Sequence, residues 1–277
     1  MLHSFGCTRA GWQSDHRHPA RDARLAGHAG VPVPRGNRAL PGWRGGLCRI
    51  ARAAVVLTAC AAAAAQAAAH DPVSEDPVPD PAHPPAIMEL SVTSDGMRLP
   101  GLMYIANGPG PHPTVVLLHG IPGNEKNLDI AQALRRAGFN VLFFHYRGAW
   151  GAEGSYSVLQ VADDALAALA LLQEPENAAR YRVDTGRLSL LGHSLGGFAS
   201  LRAGSLAAEV RCVGAIAPAN FAARAAGIGR GDDGAQAFLD YADTLYMLRD
   251  FDGERLRRQL QRAAPEEIDT RLFASGW

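Results

Sequence analysis

One stretch limits what this chain can fold into more than any other: Leu188-Ser-Leu-Leu-Gly-His-Ser194-Leu-Gly-Gly-Phe198. A short apolar run ends in Gly192-His193-Ser194-Leu195-Gly196, and an Ala-rich helical pattern follows at once. A serine between glycines at a strand-to-helix junction has a chemical rationale. A sharp turn lifts the hydroxyl above the sheet, and bulky neighbours two positions away would clash in it. The following helix points its N-terminus at the charge that develops when the hydroxyl attacks. Ser194 is therefore the candidate nucleophile, and the local structure is expected to be strand, tight turn, helix.

The flanking sequence extends that pattern. Residues 114–118, 140–144, 187–191 and 210–217 are predominantly apolar runs of strand length, and 127–137, 158–173 and 195–208 have helical periodicity. Residues 87–93 and 99–106 alternate around Ser94-Asp95-Gly96, which predicts an antiparallel opening pair. Strands without alternation, interleaved with helices, predict an α/β fold: a mostly parallel sheet with helices on both faces. This core spans 87–218. Residues 219–277 change character, with helices expected over 235–248, 253–263 and 265–273 and no β-like run after Pro218.

The first 86 residues read differently. Residues 1–43 lack hydrophobic periodicity and are expected to be disordered or an upstream extension from a misplaced start codon. Residues 44–69 combine a basic segment, a short apolar run and an Ala tract, the layout of an export signal cleaved after Ala67-Ala68-Ala69. Leu57-Thr58-Ala59-Cys60 also resembles a lipoprotein box, which would anchor the chain through a lipid on Cys60. Residues 70–86 are a Pro-rich, acidic stretch expected to be an extended linker. The formal net charge is zero, but residues 1–52 carry nine Arg against two Asp. That stretch lacks interleaved aromatics and helical period, so no nucleic-acid partner is expected. The four cysteines show no metal-ligand spacing and imply no disulfide framework. Cys212 reads as a small buried hydrophobe. No nucleotide fingerprint is present, and no cofactor or metal is expected.

Two further segments suit the serine. His119-Gly120-Ile121-Pro122-Gly123 follows a buried strand, where a Gly-rich turn can present backbone N–H groups. An oxyanion hole in acyl transfer combines the N–H after the nucleophile, Leu195, with one from such a loop, Ile121. The 145–155 loop leaves the carboxyl end of the next strand, where ligands bind in sheets of this kind. His119, Arg147, Trp150 and His193 are the candidate pocket-lining side chains, although Arg147 and Trp150 serve equally well as loop braces.

With these residues assembled, the chain resembles the α/β-hydrolase superfamily. The motifs are Val115-Val-Leu-Leu-His-Gly120 with Pro122-Gly123, then Phe144-His-Tyr-Arg-Gly148, then Leu190-Leu-Gly-His-Ser-Leu-Gly-Gly197. It is most similar to the serine esterases and the prolyl-oligopeptidase-like or dipeptidyl-aminopeptidase-like hydrolases. The resemblance covers roughly 87–218. It implies hydrolysis of an acyl ester or peptide-like small molecule through Ser194, with a helical lid inserted after the sixth strand.

The same resemblance exposes a gap. The superfamily orders its triad Ser, then Asp or Glu, then His. The ten histidines here are at 3, 16, 18, 28, 70, 83, 112, 119, 145 and 193, all before Ser194. The expectation is a chain whose last strands are missing, with neither triad acid nor triad His identifiable. His119, His145 and His193 are the only surrogates near strand ends. The sixth strand would then be an unpaired edge prone to association. The alternative is a catalytically silent binding protein on the same fold.

Overall fold

The structure, a computed structural model, describes residues 5–7 and 70–274. Seven strands form one sheet: β1 (Phe5–Cys7), β2 (Ala86–Ser94), β3 (Met97–Ile105), β4 (His112–Leu118), β5 (Asn140–Phe144), β6 (Val183–His193) and β7 (Val210–Ile216). Their spatial order is β1-β7-β6-β4-β5-β3-β2. β5, β4, β6 and β7 run parallel, while β2, β3 and β1 are antiparallel to their neighbours.

Local chemistry explains the strands. Ser94 pairs with Met97, so Asp95-Gly96 is a two-residue hairpin loop, and both residues have positive φ (50° and 76°). That is the requirement of a type I′ turn, which Asp-Gly meets. Every residue of β5 is buried, and so is all of β4 except Pro113, as expected of strands covered on both faces.

The helices are α1 (Leu128–Arg136), α2 (Val161–Gln173), α3 (Pro175–Tyr181), α4 (Leu195–Leu206), α5 (Phe221–Arg230), α6 (Asp233–Ala242), α7 (Gly253–Arg262), α8 (Pro265–Ile268) and α9 (Thr270–Ala274). One face of the sheet holds a small core of Tyr104, Leu117, Ala131 and Val141 beneath α1. The other holds the main core, where α2 and α4 pack with residues of the C-terminal helices, including Phe221, Leu239, Leu256 and Phe273. The ring of Phe198 on α4 meets Phe221 edge-on at 4.9 Å and Phe273 at 5.9 Å. The helical region expected as a lid therefore also completes the core. Among the described residues no helix is long and apolar enough to cross a membrane.

Several expectations need correction. Within 1–43, Phe5–Cys7 is a strand: Phe5 pairs with Gly214, Gly6 with Val213 and Cys7 with Cys212. The edge expected to be bare on β7 is thus partly covered. Cys212 is half-buried and disulfide-bonded, not a free buried hydrophobe. The 70–86 stretch is held to the domain by polar contacts in place of apolar ones. Asp76 takes Arg135 at 2.7 Å and Arg136 at 3.0 Å, and Asn107 bonds both Val78 O and Asp80 N. The helix expected over 235–248 ends at Ala242, and 265–273 breaks at Asp269 into α8 and α9. Helices α3 and α5 were not expected. The signals for them were Pro175 at the first turn of α3, and an Asn220 cap with Gly231 closing α5. The export-signal segment 44–69, with Cys60, lies outside the described residues.

Candidate active site

Strand β6 delivers Ser194 to its turn in a conformation that L-residues seldom adopt, φ 54° and ψ −115°. Such a backbone costs about 1–3 kcal/mol and persists only where the surroundings impose it. Here Ser194 N donates to Ile216 O at 2.9 Å, and Ser194 O accepts from Phe198 N (3.1 Å) and Ala219 N (2.9 Å). The end of β7 and the first turn of α4 therefore hold the serine from both sides. The glycines are dictated by close approach. A Cβ on Gly192 would be driven into Gly196 O, and one on Gly196 into Leu118 O of the neighbouring strand.

The loop after β4 comes against this turn. A Cβ on Gly120 would sit 3.4 Å from Ser194 Cβ and from His193 O, so the two loops touch. The 119–123 loop is clamped at both ends. His119 is fully buried, with Nδ1 2.7 Å from Gly120 O. Because a carbonyl only accepts, Nδ1 carries the proton. Nε2 is then the acceptor facing His145 Nδ1 at 3.4 Å. Tyr146 Oη donates to His119 O at 2.8 Å, and Trp150 Nε1 donates to Pro122 O at 2.7 Å. Burial drives the His119 pKa down to about 3, with Lys126 and His145 pushing the same way and the Gly120 bond opposing. Burial and the nearby Lys126 charge lower His145 to about 4. Both rings are neutral and weakly basic at neutral pH.

A cavity of about 270 Å³ opens where the loops meet. Ser194, His193, Gly120, Ile121, Glu125 and Tyr241 are among the residues that line it. Ile121 is thus at the wall. Leu195, itself buried, opens α4, where the first N–H groups of a helix have no intrahelical partner. Of the four side chains expected around the pocket, only His193 lines this cavity. His119 is locked beneath it, and Trp150 braces the loop. Arg147 is buried in an ion pair, its Nε 2.6 Å from Asp164 Oδ1 and its backbone N 2.9 Å from Oδ2. Asp95 adds a contact at 3.3 Å from the solvent side.

Sequence reasoning missed Tyr241, which α6 carries to the cavity wall, and Asp164 as the anchor of Arg147. The Asp163-Asp164 pair at the start of a helix was visible, but its partner was not. The C-terminal segment also pairs with the 148–156 loop through Trp150 N to Met247 O, Arg249 N to Gly148 O and Tyr156 N to Arg249 O. Among the described residues, no carboxylate or imidazole hydrogen-bonds the Ser194 hydroxyl. No group of three or more His, Cys, Asp or Glu is placed there to hold a metal ion.

The model of the alpha/beta hydrolase family matches residues 115–276, more than half of the chain. The chain belongs to the alpha/beta hydrolase family. Esterase EstD of Thermotoga maritima is 34% identical to this chain over 135 residues, 44% of this chain and 31% of that protein. An uncharacterised protein of Mycobacterium tuberculosis is 36% identical over 105 residues, 38% of this chain and 36% of that one. The chain spans about a third of the length of these curated relatives. Among solved structures it is similar to the alpha/beta hydrolase GrgF from Penicillium sp. sh18, with a TM-score of 0.49 and 17% identity over 67% of this chain and 75% of that one.

Proposed function

We propose that this α/β-hydrolase is built to cleave ester or amide acyl bonds, with Ser194 as nucleophile and the N–H groups of Leu195 and Ile121 as oxyanion donors. The observation that carries the reading is the strained backbone of Ser194 at the wall of a cavity it shares with Ile121. An idle serine would gain nothing from that strain. The esterase relative supports ester chemistry, although it matches over a minority of its length. Attack by the hydroxyl on a carbonyl carbon would place the new oxyanion beside the first turn of α4, where unpaired N–H groups and the helix dipole favour negative charge.

Proton transfer is the missing half. A serine hydroxyl is a poor nucleophile until a positioned base takes its proton. His119 has its Nδ1 proton committed to Gly120 O and its Nε2 turned to His145. With pKa values of about 3 and 4, neither His119 nor His145 is matched to accept a proton near pH 7. No histidine follows Ser194 in the sequence. We therefore propose that the 277-residue chain turns over at roughly four to six orders of magnitude below a complete triad enzyme.

Two measurements separate the parts of this reading. Prolonged exposure to a fluorophosphonate is expected to give a slow adduct on Ser194 that is lost in Ser194→Ala. An adduct elsewhere, or none, overturns the nucleophile. Hydrolysis of p-nitrophenyl acetate is expected to show almost no Ser194-dependent turnover. A Ser194-dependent kcat in the ordinary range of about 1–1000 s⁻¹ overturns the missing base and points to His193, the histidine that lines the cavity.

A further inference from the structure

A second cavity, of about 450 Å³, lies between the C-terminal helices and the loop that carries Leu159. Its wall is basic. Arg255, Arg258 and Arg262 all line it, together with Gln259 and Glu267. Positions 255, 258 and 262 fall within about 60° of one another around the α7 axis, so the three guanidinium groups share one stripe. The apolar residues of α7, Leu256 and Leu260, are buried in the core, and the stripe faces the cavity.

Like charges this close on one helix repel, and a fold usually pairs them. Here the pairing is incomplete. Arg258 is bonded to Glu254 at 3.0 Å. Among the described residues, neither Arg255 nor Arg262 has an ion-pair partner. Glu267, the carboxylate in the wall, spends one oxygen on Ala264 N at 2.8 Å. Gln259 also lines the groove, and its amide Nε2, a donor, makes no hydrogen bond among the described residues. A concave, basic wall with a spare amide matches a compact oxyanion. Arginine forks bind such groups through paired N–H donors.

We propose that the groove of Arg255, Gln259 and Arg262 binds a small dianionic oxyanion, inorganic phosphate or the phosphate of a monoester. The site is separate from the Ser194 cavity, with which it shares no lining residue. Binding there requires no turnover, so it stands or falls independently of the proposed hydrolase reading.

The test titrates the full chain with inorganic phosphate by calorimetry at constant ionic strength, with chloride as the balancing anion. Saturable binding is expected, weakened about tenfold or more in Arg255→Ala and in Arg262→Ala. Arg187→Ala, in β6, outside the groove lining and paired with Asp184, is expected to bind as the unaltered protein does. Arg255→Gln and Arg262→Gln keep most of the side-chain stem and report the same loss if an alanine variant unfolds. Binding that never saturates, or that falls equally in Arg187→Ala, overturns the proposal in favour of general charge screening. Sedimentation with vesicles containing phosphatidic acid distinguishes the source of the phosphate. Vesicle binding lost in the two arginine variants, without saturable binding of free phosphate, also overturns the small-anion site and assigns the stripe to a membrane surface.

Discussion

At Ser194 two opposed demands meet on one residue: the proposed chemistry needs the hydroxyl above the sheet, and the backbone resists the angle that puts it there. Replacing the serine by glycine is expected to stabilise the fold by about 1 kcal/mol, since glycine tolerates φ 54° and its extra unfolded-state entropy offsets only part of the relief. Urea unfolding measures this, and a loss of stability in Ser194→Gly would mean the turn is not strained. Gly196→Ala has the opposite sign. Its Cβ would enter Leu118 O, backbone that cannot rotate away, and the expected cost is about 3 kcal/mol or more. A decrease below 1 kcal/mol on the same assay would contradict that packing. The buried histidines set a pH dependence. Their folded pKa values, about 3 for His119 and about 4 for His145, lie below the unfolded value of 6.5. Between those limits the unfolded chain binds more protons, so the stability present above pH 6.5 is lost on acidification. The slope approaches about 1.4 kcal/mol per pH unit for His119 and is smaller for the half-buried His145. Unfolding at pH 7, 6 and 5 is expected to follow it, with a shallower slope in His145→Gln. Equal slopes in both proteins would remove His145 from the account.

At the scale of elements, the loops above the sheet are held by ties that no local pattern reveals. Arg147, from the loop after β5, reaches Asp164 on α2, and both side chains are buried. Asp164→Ala leaves that guanidinium with only Asp95 and the more distant Asp163, both of them exposed. Breaking a buried pair costs about 3–5 kcal/mol, and the two remaining carboxylates place this one at the lower end. Thermal unfolding of Asp164→Ala and of the double variant with Arg147→Met tests it, because the double variant is expected to recover part of the loss. Trp150 is equally a matter of elements. Its indole was legible as a pocket candidate, but its N–H holds Pro122 O while its backbone N bonds Met247 O. One residue thus joins the 119–123 loop to the C-terminal segment.

For the molecule as a whole, the exposed margin of the sheet is the weak point. Strand β7 has β1 beside it over three residues, and Cys212 at one end of that pairing is disulfide-bonded. Cleavage after residue 69, as an export signal would require, removes β1 from the same chain. The expected outcome is that residues 70–277 self-associate more than the full chain, because the β7 edge presents unpaired N–H and C=O groups. Sedimentation velocity at matched concentration measures it, and an equal monomer fraction would show that other residues cover the edge.

Much of this is legible in the amino-acid sequence itself. The six strands from Ala86 to Ile216 and helices α1, α2 and α4 follow from apolar runs and helical periods, which record burial directly. The glycines around Ser194 were legible because close backbone approach excludes side chains whatever the surroundings. The absence of any histidine after Ser194 is a property of the sequence alone. Tertiary structure decided what depends on residues distant in the chain. It turned Arg147 inward to Asp164, locked His119 against Gly120, carried Tyr241 to the cavity and laid Phe5–Cys7 along β7. Period and composition register which side of an element is buried. They do not register which partner meets it there, because that choice is made by long-range contacts that form only when the sheet closes.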